Sequence, residues 1–184
     1  MAVPHWKLPL AFDAAQLQRD VAGLGAEEWS PHFNQRQYDG EWSGVPLRST
    51  PRSHMPLYPD PASTEFIDLP VLDRCPYLRE VMAQFDCPLT FVRLLKLAPG
   101  SNILEHRDHC LSYEDGEVRI HIPVFTNPEV EFVVGGEALP LKHGECWYIN
   151  FNLPHRIHNR GTTDRVHLVI DCRLNLWLDA MFPK

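Results

Sequence analysis

The chain has 184 residues, 44% of them hydrophobic and 22% charged, which is the composition of a folded globular protein with one core rather than of a disordered or fibrous chain. Its formal charge of -7 argues against a nucleic-acid partner, which requires a basic stripe. No apolar run approaches the ~18 residues of a membrane helix, and Met1 to Lys7 lacks the pattern of a signal peptide. The expectation is one domain over 1–184, cytoplasmic and without a membrane partner. It divides into N-terminal helices and substrate-side loops (1–88), a β core (89–173) and a short helical tail (174–184). Five scattered cysteines, with no C-x-x-C pair, read as reduced thiols. Cys110, four residues from His106, is the one exposed to oxidation by chemistry nearby.

In chain order, Asp13 caps a predicted helix over residues 14–21, with Gly23 and Gly25 as stop signals. Residues 30–70 are rich in Pro, Ser and Arg, and predict loops with one or two strands. A second helix is predicted from Pro76 to Phe85, where Leu78, Val81, Met82 and Phe85 recur at helical spacing. From Leu89 onward, period-two alternation predicts strands near 89–98, 118–125, 129–134, 137–141, 145–151, 155–159 and 164–173. Turn residues separate them at Pro99-Gly100-Ser101, Asp115-Gly116, Gly135-Gly136 and Arg160-Gly161-Thr162. A short helix follows within 174–182. This mainly β pattern, with helices ahead of six or seven antiparallel strands, predicts a double-stranded β-helix, the jelly-roll barrel that cupins also use.

Two of these strands carry cations on one face and aliphatic groups on the other. Val118, Ile120, Ile122 and Val124 share a face opposite Arg119 and His121, and Val166, Leu168 and Ile170 oppose Arg165 and His167. Taken strand by strand, that pattern describes a wet outer face over a core. The metal motif reverses the reading and makes the cationic face the lining of a lumen. His106 and Asp108, two apart, lie on one side of an extended segment. With His155, which closes the segment Asn152-Leu153-Pro154-His155 after the apolar run 146–151, they make an H-x-D…H set of two imidazoles and a carboxylate. Such a facial triad suits Fe(II) and leaves three positions open for a bidentate co-substrate and O2. Arg165, ten residues beyond His155, has the fork geometry to hold the far carboxylate of that co-substrate. Each motif alone is weak, and a surface H-x-D pair is common. Together they point to an oxygenase that uses Fe(II), 2-oxoglutarate and O2.

The stretch Leu97-Ala98-Pro99-Gly100-Ser101…Glu105-His106-Arg107-Asp108 is followed by Val118-Arg119-Ile120-His121-Ile122-Pro123, by Asn152-Leu153-Pro154-His155 and by Asp164-Arg165-Val166-His167. This series, over roughly residues 90–172, resembles the aspartyl/asparaginyl β-hydroxylase family and, with it, free L-proline hydroxylases. The resemblance implies a jelly roll, Fe(II) on His106, Asp108 and His155, and 2-oxoglutarate on Arg119, His121 and Arg165. Asp108 sets the chain nearer the bacterial, small-molecule branch than the vertebrate peptide hydroxylases, which lack that carboxylate. The proline hydroxylases continue into a helical region beyond the last strand where this sequence ends, so their substrate is not carried over.

The expected reaction couples oxidative decarboxylation of 2-oxoglutarate to hydroxylation of a C–H bond in a small polar substrate. An amino acid or derivative comes first, an Asp or Asn side chain in a peptide second. Rival readings are a cupin-like Zn or Mn isomerase or hydrolase, and a non-catalytic jelly roll that binds a small anion. The segment from about Phe33 to Pro61 is expected to close the site, with Trp42, Arg48 and His54 as substrate contacts. The bland alternative has Trp42 packing on the barrel and Arg48 pairing with a surface acid.

Overall fold

The computed structural model describes residues 3–53 and 55–183, and His54 lies outside them. The N-terminal half contains β1 (His5–Ala11), α1 (Ala14–Ala22), β2 (Ser30–Pro31), β3 (Tyr38–Asp39), β4 (Trp42–Ser49), β5 (Ile67–Asp68) and α2 (Pro76–Ala83). There follow β6 (Leu89–Leu97), β7 (Asn102–His106), β8 (Glu117–Phe125), β9 (Val130–Val134), β10 (Glu137–Ala138), β11 (Glu145–Ile149), β12 (His155–Asn159), β13 (Arg165–Arg173) and α3 (Leu176–Asp179). The strands form two antiparallel sheets. The larger has the order β1-β11-β8-β13-β6-β4-β2, with β5 added to β4, and the smaller has the order β10-β9-β12-β7-β3. Facing each other, these sheets are the two halves of the expected jelly roll.

Alternation explains where the core divides. On β6, β8 and β13, Val92, Leu94, Val118, Ile120, Ile122, Val124, Val166, Leu168 and Ile170 point away from the smaller sheet and pack against the helices. Leu17 and Val21 of α1, Leu78, Val81 and Met82 of α2 and Leu178 of α3 complete that layer. The opposite faces contribute Leu95, Leu97 and Val169, which meet Ile103, Phe132, Val134 and Ile157 of the smaller sheet. The apolar faces read from the sequence are thus the helix-side layer. Arg119, His121 and Arg165 are left on the inner side, between the sheets.

Local signals set the helices. Asp13 accepts from the amides of Ala15 and Gln16 at 2.9 and 3.1 Å, and Gly23 follows the last turn of α1. Pro76 opens α2, where a missing amide hydrogen costs nothing. The hairpin between β9 and β10 turns on Gly135 and Gly136, both at positive φ (58° and 88°), as a tight two-residue loop demands.

The differences have physical causes. Residues 30–70 supply four short strands rather than one or two, because β4 runs beside β6 from Trp42↔Leu97 to Arg48↔Val92 despite Pro46. β1 escaped the periodicity reading because prolines flank and interrupt it. It lies at the rim of the large sheet, paired only with β11, where Pro9 forfeits no ladder hydrogen bond. β7 was read as a mere extended segment. β10 stops at Ala138 instead of residue 141, where Pro140 intervenes.

Asp20 of α1 is 7% exposed, and its Oδ2 accepts the Leu78 amide of α2 at 2.8 Å, clamping the helices together. Replacing it by Ala strands that amide in the core. Asp20→Ala should lower unfolding free energy by about 1–3 kcal/mol in chemical denaturation, with the denaturant slope unchanged.

Candidate active site

The last residue of β7 and the first of β12 are cross-strand partners, His106 and His155. Their Nε2 atoms lie 3.1 Å apart. Both rings are oriented from behind: His106 Nδ1 lies 2.7 Å from the Leu104 carbonyl and His155 Nδ1 lies 3.0 Å from that of Leu153. A carbonyl only accepts, so the protons sit on Nδ1 and both Nε2 atoms present lone pairs. Two lone pairs at that distance repel unless a cation stands before them. Burial above all pushes His155 down to about 4, so its ring stays neutral with its one proton on Nδ1. Asp108 follows β7, its backbone amide donating to Phe151 at 2.9 Å. One ligand atom from each of His106, Asp108 and His155 falls within a mutual 4.8 Å. Two imidazoles oriented by backbone carbonyls, plus one carboxylate, fit a divalent transition metal and suit Fe(II).

Behind the cluster runs a buried ion-pair network. Arg119 Nη1 donates to Asp108 Oδ2 at 2.6 Å, while its Nε and Nη2 donate to Asp171 Oδ1 and Oδ2 at 2.7 and 3.0 Å. Arg93 Nη1 donates to Asp171 Oδ2 at 2.7 Å. Burial alone would raise the Asp171 carboxyl, but Arg119 and Arg93 hold it below the usual carboxylate range. Burial likewise works to lower Arg119, yet Asp171 and Asp108 raise it. Arg119 therefore orients the carboxylate of the triad, and its donors toward two aspartates are committed.

Arg165 is different. It is 1% exposed, no carboxylate among the described residues pairs with it, and its Nε has no hydrogen-bond partner there. Burial pushes it down to about 9, which still leaves it charged at neutral pH. Its guanidinium lies 5.3 Å from the Phe132 ring centroid, and Nη2 lies 2.8 Å from His167 Nδ1. His121 Nε2 and His167 Nε2 are also buried without partners. A buried cation surrounded by orphaned polar atoms calls for an anion.

His106, Asp108, His155, Arg93, Arg119, His121, Arg165 and Asp171 line one cavity of about 870 Å³, with His32, Phe33, Trp42, Tyr58, Phe66 and Phe91 also on its wall. Trp42 is 8% exposed and stacks on His32 at 3.6 Å between centroids. Phe33, Leu57, Tyr58 and residues 59–61 bring the segment expected to close the site onto its wall. Arg48 stands apart from the cavity: it donates to Asp68 at 2.7 Å and to the Leu89 carbonyl at 3.1 Å, holding β4 to β5 and β6. Arg48, expected as a substrate contact, is not brought to the cavity: both of these contacts tie it to the sheet. Arg93 is the cation that β4's neighbour sends into the cavity, and the sequence reading missed it along with Asp171, His32 and Phe91. A signal existed for two of them. Arg93 shares the face of Phe91, Leu95 and Leu97, and Asp171 shares that of Arg165, His167 and Val169, so each is a charge on an otherwise buried stripe.

A jelly roll with two histidines and an aspartate converging between its sheets is a barrel able to hold a metal ion there. Within that class, residues 15–174 match the aspartyl/asparaginyl beta-hydroxylase family model, and the chain belongs to that family. It is 25% identical over 169 residues to an L-proline cis-4-hydroxylase of Rhizobium meliloti (strain 1021), covering 91% of this chain and 60% of that protein. The chain thus spans about three fifths of that relative's length. Its fold is similar to a 2OG-Fe(II) oxygenase family oxidoreductase from Burkholderia pseudomallei, with a TM-score of 0.60 at 16% identity over 92% of this chain and 85% of the other. A viral collagen prolyl hydroxylase from Paramecium Bursaria Chlorella virus-1 aligns with a TM-score of 0.51 at 10% identity, over 94% and 97% of the two chains. No helix among the described residues is long and apolar enough to cross a membrane.

Asp171→Asn should leave two buried guanidiniums short of a counter-charge and lower stability by about 3–5 kcal/mol. Asp171's contribution is present above its unfolded pKa of about 4 and is lost as pH falls through the lower folded value. In acid titrations of stability the variant should therefore start lower and show a shallower decline than wild type.

Proposed function

We propose that this protein is an Fe(II)- and 2-oxoglutarate-dependent oxygenase that hydroxylates a C–H bond of a small polar substrate, an amino acid or derivative first and an Asp or Asn side chain in a peptide second. The observation that carries the reading is the meeting, in one cavity, of the His106–Asp108–His155 cluster with the unneutralised Arg165. A metal-only isomerase or hydrolase has no use for that arginine.

In this reading His106, Asp108 and His155 hold Fe(II), and Arg119 fixes the Asp108 carboxylate from behind. The metal with 2-oxoglutarate and O2 supplies the oxidising chemistry. Arg165 and His121 receive the carboxylates of 2-oxoglutarate on the inner side, where the ion pairs that Arg93, Arg119 and Arg165 make among the described residues are with Asp108 and Asp171 alone. A dianion suits that surplus of positive charge. Arg119, implied by the family resemblance as a co-substrate contact, serves better here as the link between the metal carboxylate and Asp171. The aromatic wall of His32, Phe33, Trp42 and Tyr58 closes the substrate side and limits water at the metal. The proline hydroxylase relative supports a free amino acid as substrate, and a cavity of about 870 Å³ accommodates one beside the co-substrate.

Anaerobic calorimetric titration should show Fe(II) or Mn(II) binding to wild type and nearly none to His106→Ala or His155→Ala, whereas Asp108→Ala keeps a residue of affinity. Arg119→Met should weaken metal binding by about 10–100-fold by freeing Asp108. Arg165→Met should retain metal and raise the 2-oxoglutarate dissociation constant by at least tenfold, about 1.4 kcal/mol or more. Wild-type metal affinity in His155→Ala would remove the triad, and unchanged co-substrate affinity in Arg165→Met would remove the anchor.

A further inference from the structure

His167 lies two residues beyond Arg165 on the inward face of β13 and is 1% exposed. Its Nδ1 is 2.8 Å from Arg165 Nη2 and 3.2 Å from His121 Nδ1. A guanidinium only donates, so His167 Nδ1 is the acceptor and carries no proton. The same lone pair faces His121. Two unprotonated nitrogens at that separation repel, which places a proton on His121 Nδ1, donated to His167. A neutral His121 then has a bare lone pair on Nε2, the nitrogen that is buried without a partner. That lone pair repels a carboxylate, and a proton there would attract one.

We propose that His167 is a positioning residue of the anion site: by accepting from Arg165 and His121 together it locks the proton of His121 on Nδ1, so that a carboxylate binding against His121 takes up one proton and turns that ring into an imidazolium. The inference rests on the co-substrate reading of this site and adds the proton that accompanies binding. The groups that face His121 act in one direction. Burial comes first, then Arg165 of β13, Arg119 of β8 and Arg93 of β6, and together they hold the ring well below its ordinary value and neutral. Burial and Arg165 do the same to His167. Phe151 separates His121 from the metal cluster, stacked on His121 at 5.1 Å and edge-on to His155 at 4.6 Å between centroids. The anion reverses the balance by setting a negative charge against Nε2. A group raised on binding takes up its proton where pH lies between its free and bound values, and affinity falls as pH rises through that window.

The test is calorimetric titration of 2-oxoglutarate into the Mn(II)-loaded protein, in buffers of differing ionisation enthalpy, from pH 6.5 to 8. Wild type should take up about one proton per site, with the dissociation constant rising by up to about tenfold per pH unit. In His167→Leu, which offers no acceptor, neutral His121 can move its proton to Nε2, and both the uptake and the pH dependence should vanish. His167→Asn sets Oδ1 where Nδ1 stood and should restore them. Binding by wild type without proton uptake, or undiminished uptake in a folded His167→Leu, overturns the role of His167. The wild-type measurement decides even if that variant fails to fold. A wild type that binds the metal but no 2-oxoglutarate overturns the co-substrate reading itself.

Discussion

Three guanidinium groups sit between two sheets of a small barrel, and two carboxylates are all that the described residues set against them. Mutual repulsion would drive such groups apart or into water. Asp171 prevents it by receiving Arg119 in a bidentate pair and Arg93 on a shared oxygen, and Asp108 takes the donor that remains. The direction of Asp108, the inward aim of β8 and β13 and the shape of the cavity all depend on that clamp. Arg165 lies outside it and keeps its charge unpaired among the described residues. Buried charge in this fold is therefore spent unevenly: one set is neutralised to build the site and one is left over to fill it.

This division explains what was legible in the chain. The H-x-D…H spacing pointed to His106, Asp108 and His155 as one group, and the cross-strand pairing of His106 with His155 brings them together. Alternation along β8 and β13 separated the helix-side face from the lumen correctly. It did not predict which cation meets which anion, since Arg119 and Arg165 look equivalent in a list of inward positions. Only register distinguishes them: Asp171 stands opposite Arg119 on the neighbouring strand and six residues along β13 from Arg165. Long-range pairing of that kind leaves no trace in local periodicity.

Residues 30–70 were the least legible stretch for a related reason. Their strands are two residues long or interrupted by proline, and what orders them is the edge of β6, some 50 residues further on. Arg48 looked like a ligand cation because nothing local offered it a partner. The partners are Asp68 and a backbone carbonyl of β6, both supplied by the sheet. His167, set aside as a passenger on sequence grounds, is by contrast the residue that touches both the free arginine and His121.

The rims of the two sheets have their own logic. The larger sheet ends on one side in β1, which carries Pro9, and on the other in β2, which is two residues long and contains Pro31. The smaller ends in β10 and β3, again two residues each. A barrel this rich in aliphatic strands presents few unpaired backbone groups on which another chain could template a further strand, and each rim is too brief or too short of amide hydrogens to seed one. The prolines that obscured these segments to a periodicity reading thus discourage edge-to-edge aggregation in a crowded solution.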